Sequence, residues 1–196
     1  MAEFDAYLDR LASADPTPGG GSAACVVGAL GSALCAMVLR ITGGHEPLAE
    51  DADRLRERFV AARAVDEDAY NRVVEASALP KDSEQHKRAR TAALQVALAG
   101  AAEAPLAAAG LAAEGMALAA RTAELRNRHL VSDVECALHF FRAALGASVA
   151  NVRINHRYLR DPALVTEQQA RLTAIAQAAG SSESRALALV NEETAR

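Results

Sequence analysis

The sequence predicts an all-α protein: a bundle of about five to seven helices around one long, Ala/Gly-rich buried helix. Three observations carry this. Ala dominates a hydrophobic fraction of 51%, aromatics are 4% and Trp is absent; Ala is the best helix former but removes little area from water. Apolar residues recur in steps of three and four through most of the chain. Pro and Gly cluster at a few points, whereas a β-sandwich needs turns every ten residues or so. Ala-faced helices approach closely, and a second subunit packed helix to helix is the expected way for so slim a core to bury more surface.

Each element follows from its own residues. Phe4, Tyr7, Leu8 and Leu11 share a helical face, and that helix ends near Ser13. Asp15 to Ser22, with two prolines and three glycines, reads as non-helical and leads into the uncharged run Ala23–Leu39. Thr42 to Pro47 breaks the chain again. A long helix spans about Leu48–Ala78, with Leu55, Phe59, Ala62, Ala69, Val73 and Ala76 on its apolar stripe and Asp66 filling the one gap. Leu79-Pro80-Lys81 ends it, because the residue before Pro is driven out of the α region. Asp82 or Ser83 caps the next helix, which reaches about Arg126 with a kink or break at Pro105. Ser132-Asp133-Val134-Glu135 has capping-box form and opens a helix to about Leu159. Asp161-Pro162 stops that helix. Thr166 to Gln169 is a second capping box, opening a last stretch interrupted at Gly180. The 196 residues fit one domain, with 163–196 as its helical extension.

Composition also excludes classes of function. A net charge of −4 with interspersed basic residues gives no footprint for nucleic acid. Three cysteines without a CxxC pair read as small buried hydrophobes in a reducing compartment, and no Cys or His spacing suits a metal. The N-terminus carries Glu3, Asp5 and Asp9 where a secretory leader is basic, so a cytoplasmic location is expected. Ala23–Leu39 approaches the length of a membrane span, yet its Ala, Gly, Ser and Cys content makes a helix buried inside a bundle the preferred reading, with no membrane partner.

Three places could carry chemistry. Pro16 to Ser22, including Pro18, Gly19, Gly20 and Gly21, brings unobstructed backbone N–H groups to a helix N-terminus; the same glycines also serve a tight turn. Asp66 and Tyr70 lie one turn apart, and a carboxylate on an apolar stripe is paired, protonated or set in a cleft. Asp68 lies off the stripe. Asn151, Arg153 and Asn155 sit beneath Ser148, and amides that both donate and accept suit a flat heterocycle or an interhelical hydrogen bond.

Taken in order, Pro-Thr-Pro-Gly-Gly-Gly-Ser (16–22), Asp-Glu-Asp-Ala-Tyr-Asn (66–71), Leu-Pro-Lys (79–81), Val-Ser-Asp (131–133) and Asn-Val-Arg-Ile-Asn (151–155) resemble the formiminotetrahydrofolate cyclodeaminase/methenyltetrahydrofolate cyclohydrolase family. The resemblance covers about residues 3–160. It implies an all-helical homodimer with a tetrahydrofolate derivative as substrate near the subunit interface, and catalysis without metal or a permanently bound cofactor. It further implies that Asp66 or Asp133 moves the proton and that Lys81 polarises the reacting group. Tyr70, Asn151 and Asn155 would orient the pterin, and Gly19 to Ser22 would hold its edge or a carboxylate. Hydrolysis of 5,10-methenyltetrahydrofolate to 10-formyltetrahydrofolate is the expected reaction. The alternatives are ammonia release from formiminotetrahydrofolate, another C–N reaction, or a non-catalytic folate-binding or helical interaction protein.

Overall fold

Six α-helices and, among the described residues, no strand make up the structure, a computed structural model that describes residues 2–195. They are α1 (Ala2–Leu11), α2 (Gly20–Thr42), α3 (Glu46–Ala78), α4 (Glu84–Ala123), α5 (Val131–His156) and α6 (Pro162–Thr194). Helices α2 to α5 form the bundle: α2 packs on α3 and α5 and more lightly on α4, while α6 lies on α4 and α5. Gly20 faces Asn151 and Gly31 faces Phe141, so α2 and α5 run antiparallel.

Several boundaries differ from the sequence expectation, each for a local reason. Gly20 to Ser22 form the first turn of α2 and are not loop; Gly19 supplies the extended N-cap at φ −126°. The Gly43-Gly44 turn closes α2 with positive φ at both residues (77° and 75°), a conformation L side chains rarely adopt. Ser83 does cap α4, its hydroxyl accepting from the His86 N–H at 3.1 Å. Pro105 neither breaks nor ends α4, which runs unbroken through it. The Ser132 capping box does not form. Asn127 starts the turn earlier, its Oδ1 accepting from His129 N–H and its carbonyl from Leu130 N–H, so Leu130 is the N-cap of α5. Asp161 likewise pre-empts Thr166: it caps α6 at Ala163 and Leu164 with Pro162 in the first turn, and Gly180 lies inside a continuous helix.

At the centre of the core the rings of Phe59 and Phe141 stack, with centroids 6.4 Å apart and planes at 21°. Gly28 forms the floor under Phe59, and Gly31 and Gly115 face Phe141; a Cβ at Gly28 or Gly115 would overlap the ring. Small residues thus set the helix separations, and two large rings fill what is left. Cys25 and Cys35 are buried, and burial pushes each thiol up to about 12. Cys136 is exposed on α5, a correction to its reading as a buried hydrophobe. Helices α2 and α4 are long and apolar enough to cross a membrane by length and composition, and both have more than half of their apolar window inside the bundle.

Candidate functional site

Helix α2 begins at Gly20 without a side chain to cap it. Its open N-terminus is met from α3. The Asp66 carboxylate lies directly on Gly21, where a Cβ would overlap it, and accepts the backbone N–H of Ser22. An acid from a neighbouring helix thus serves a first-turn donor, which the helix dipole favours. Burial pushes Asp66 up from the ordinary carboxylate range; the Ser22 N–H pulls it down and the adjacent Glu67 pushes it up again, with the net shift upward.

From the other side, α5 brings Asn151 to 3.4 Å from where a Gly20 Cβ would stand. Asn151 Nδ2 donates to the Ala147 carbonyl at 2.9 Å, and Asn155 Nδ2 donates to Ala101 O of α4 at 2.7 Å and to Asn151 O at 2.9 Å. Both amide oxygens therefore remain free to accept. Tyr70 and Asn155 each lie one turn beyond this level on their own helices, and Tyr70 is 43% exposed. Among the described residues, two buried side-chain polar atoms have no partner, Arg63 Nε and Ser148 Oγ. They lie one turn before Asp66 and Asn151. Unpaired buried polar atoms are rare enough to mark a site.

The structure therefore brings together Gly19 to Ser22, Asp66, Asn151 and Asn155, with Pro18 buried in the loop beside them. Three candidates stay outside this group within one chain: Tyr70, one turn beyond Asp66 and exposed, and Lys81 and Asp133, which lie farther off. Lys81 sits exposed in the α3–α4 turn, about 18 Å or more beyond Asp66 along α3. Asp133 opens α5, about 27 Å along that helix from Asn151. There it lines an apolar hollow with Leu30, Ala33, Met37, Cys136 and Phe140. A groove of about 790 Å³ runs along the α3–α4 flank between Val65, Ala69, Leu79 and Val96, and Asp66, Gly20 and Asn151 do not line it.

Sequence reasoning passed over a second layer around Asp66. Ser22 Oγ donates to Glu67 at 2.9 Å and receives the Tyr7 hydroxyl at 3.0 Å. Arg10 pairs with Glu67 at 3.2 Å, and the Arg63 guanidinium lies 5.4 Å from the Tyr7 ring centre. The short helix α1 is pinned by Tyr7 and Arg10 to the residues that flank the site.

An all-helical bundle with a half-buried carboxyl at a glycine-opened helix end, beside two amides, is the candidate site. The chain belongs to the formiminotransferase-cyclodeaminase family, whose pattern it matches over residues 3–174. It is 34% identical to a methenyltetrahydrofolate cyclohydrolase of Methylorubrum extorquens, over 93% of this chain and 92% of that protein. It is 30% identical to the formimidoyltransferase-cyclodeaminase of Rattus norvegicus over 91% of this chain, and spans about a third of that longer protein's length (35%). The crystal structure of formiminotetrahydrofolate cyclodeaminase from Thermotoga maritima superposes with a TM-score of 0.85 at 25% identity, over 95% of this chain and 94% of that one.

Proposed function

We propose that the protein is an enzyme of tetrahydrofolate one-carbon metabolism that hydrolyses 5,10-methenyltetrahydrofolate to 10-formyltetrahydrofolate. The observation that carries this is the half-buried Asp66 carboxyl, held on Gly21 and Ser22 beside the Asn151 amide. The methenyl carbon, shared between N5 and N10, is electron-poor and accepts water. Asp66 takes a proton from that water as the C–O bond forms, then delivers it to N5 as the C–N5 bond breaks. The remaining hydroxyl proton leaves to solvent as the formyl group forms on N10. A carboxyl raised toward neutrality suits both transfers. Only protons move, so the reading calls for no metal and no bound cofactor. The free Asn151 and Asn155 oxygens match the N–H edge of a pterin. The near full-length similarity to a cyclohydrolase supports this reaction, and its soluble substrate fits a cytoplasmic location.

A homodimer completes the proposal. One face of α2 and α5 is apolar and partly open to solvent, through Val27, Leu30 (45% exposed), Met37 and Ile41 on α2 with Cys136 and Phe140 on α5. A two-fold axis near its middle pairs it with its own copy antiparallel. Asp133 of the partner subunit then comes to the Gly20–Asn151 end, which Asp133 of the same chain cannot reach. Lys81 reaches the reacting carbon only if it too is contributed across an interface. Leu30→Glu is expected to give a monomer in light scattering with turnover reduced at least tenfold; a fully active monomer overturns the shared site.

The deciding measurement follows the ultraviolet absorbance of 5,10-methenyltetrahydrofolate with purified protein, alongside ammonia release from 5-formiminotetrahydrofolate. Loss of absorbance faster than the spontaneous rate is expected. Ammonia release without it would move the assignment to the cyclodeaminase reaction, which the Thermotoga maritima likeness keeps in view. Activity on neither would overturn both tetrahydrofolate reactions and leave another C–N reaction or a binding role.

A further inference from the structure

Asp66 and Glu67 are adjacent carboxylates in unlike surroundings. One residue of α2 touches both: Ser22 gives its backbone N–H to Asp66 and its hydroxyl to Glu67. The hydroxyl is itself oriented by Tyr7, whose O–H lies 3.0 Å from it, because its one proton is committed to Glu67. Glu67 also takes the Arg10 guanidinium at 3.2 Å. Glu67 thus has two donors, one of them cationic, whereas Asp66 has a single N–H at a half-buried spot against Gly21. Where two neighbouring carboxyls meet such different environments, their roles separate, one staying as a fixed charge and the other exchanging the proton.

We propose that Glu67 is a positioning residue for Asp66: clamped by Ser22, Tyr7 and Arg10, it is the fixed charge beside which Asp66 becomes the proton-exchanging member of the pair. This rests on the assignment of Asp66 above. Glu67 from α3 and Cys25 from α2 act on Asp66 electrostatically, Arg10 from α1 pairs with Glu67, Arg63 lies over the Tyr7 ring, and α5 presents the neutral Asn151 to the same helix end. Glu67 is the charged neighbour that acts on Asp66, and Arg10 offsets part of its charge. Removing each therefore moves Asp66 in opposite directions. A merely structural role for Glu67 has no such sign reversal.

The test is a carbon-13 NMR titration of the Asp66 carboxyl in full-length protein labelled at Asp, with the resonance identified by its loss in Asp66→Asn. Glu67→Gln keeps the size and still accepts the Ser22 hydroxyl, and its Asp66 midpoint is expected to fall, because a like charge beside the carboxyl is removed. Arg10→Gln removes the cation from Glu67 while the Tyr7–Ser22 hydrogen bond still holds α1, and is expected to raise the midpoint by a smaller amount. An unmoved midpoint in Glu67→Gln, or shifts of the same sign in both variants, would overturn the proposal. The pH–rate profile read in parallel separates the two claims. A shifted titration with an unshifted rate profile keeps the coupling between the carboxyls and overturns Asp66 as the proton carrier.

Discussion

Replacing Asp66 with Asn is expected to lower turnover of 5,10-methenyltetrahydrofolate by about 10²–10⁴-fold, the usual contribution of a positioned acid–base group, and to raise thermal stability at pH 7. The two effects share a cause. Burial disfavours the charged carboxylate, so the folded protein holds the Asp66 proton more tightly than the unfolded chain does. Between the unfolded value of 3.8 and the raised folded value, the native state binds more protons, so stability falls as pH rises through that window. At pH 7 the wild type bears this cost and Asn, neutral at every pH, does not. Asn Oδ1 still accepts the Ser22 N–H, so the helix end stays capped. Melting temperatures at pH 7 and below pH 3.8 check it: the variant is more stable at the first and indistinguishable at the second. A site that costs stability in the interest of chemistry behaves this way. Full turnover in the variant, or a lower melting temperature at pH 7, would remove Asp66 from the mechanism.

The parts of this protein that depend on neighbours in sequence were legible, and those that depend on distant ones were not. The periodic stripe through Leu55, Phe59 and Ala69 set the long helix α3 and exposed Asp66 as the one acid on an apolar face. The structure places that acid where a stripe residue must be, against α2. Glu67 has no such signature, because what marks it is a hydroxyl 45 positions away and an arginine 57 away. Ser83 caps α4 as its sequence predicts, whereas the two capping boxes failed for one reason. Ser132 and Thr166 both fit the capping pattern, yet Asn127 and the Asp161-Pro162 pair came earlier in the chain and fixed the turns first. Lys81 and Asp133 show the other limit. Order along the chain groups them with Asp66, but within one chain the helices hold them about 18 Å or more away, and it is the proposed dimer that would shorten such distances.

Phe141→Ala is expected to cost about 3–5 kcal/mol, near the upper end for a core truncation, and the reason lies in the composition. A core built mostly of Ala has few long side chains able to swing into a hole, so the cavity stays. The ring also loses its stack on Phe59, worth about 0.5–1.5 kcal/mol beyond its area. A sharper test uses Gly115, whose Cβ position overlaps this ring. In the wild-type background Gly115→Ala overpacks and is expected to destabilise by about 1–3 kcal/mol. Once Phe141 is Ala, the same substitution meets open space, fills part of the cavity and gains the helix propensity of Ala over Gly, about 1 kcal/mol. Its effect is therefore expected to change sign between the two backgrounds. Urea denaturation of the four proteins of this cycle measures the coupling directly, provided that each unfolds in one transition. Additive effects would mean that α4 and α5 shift apart to accommodate the ring, and that glycine at 115 is not what sets their separation.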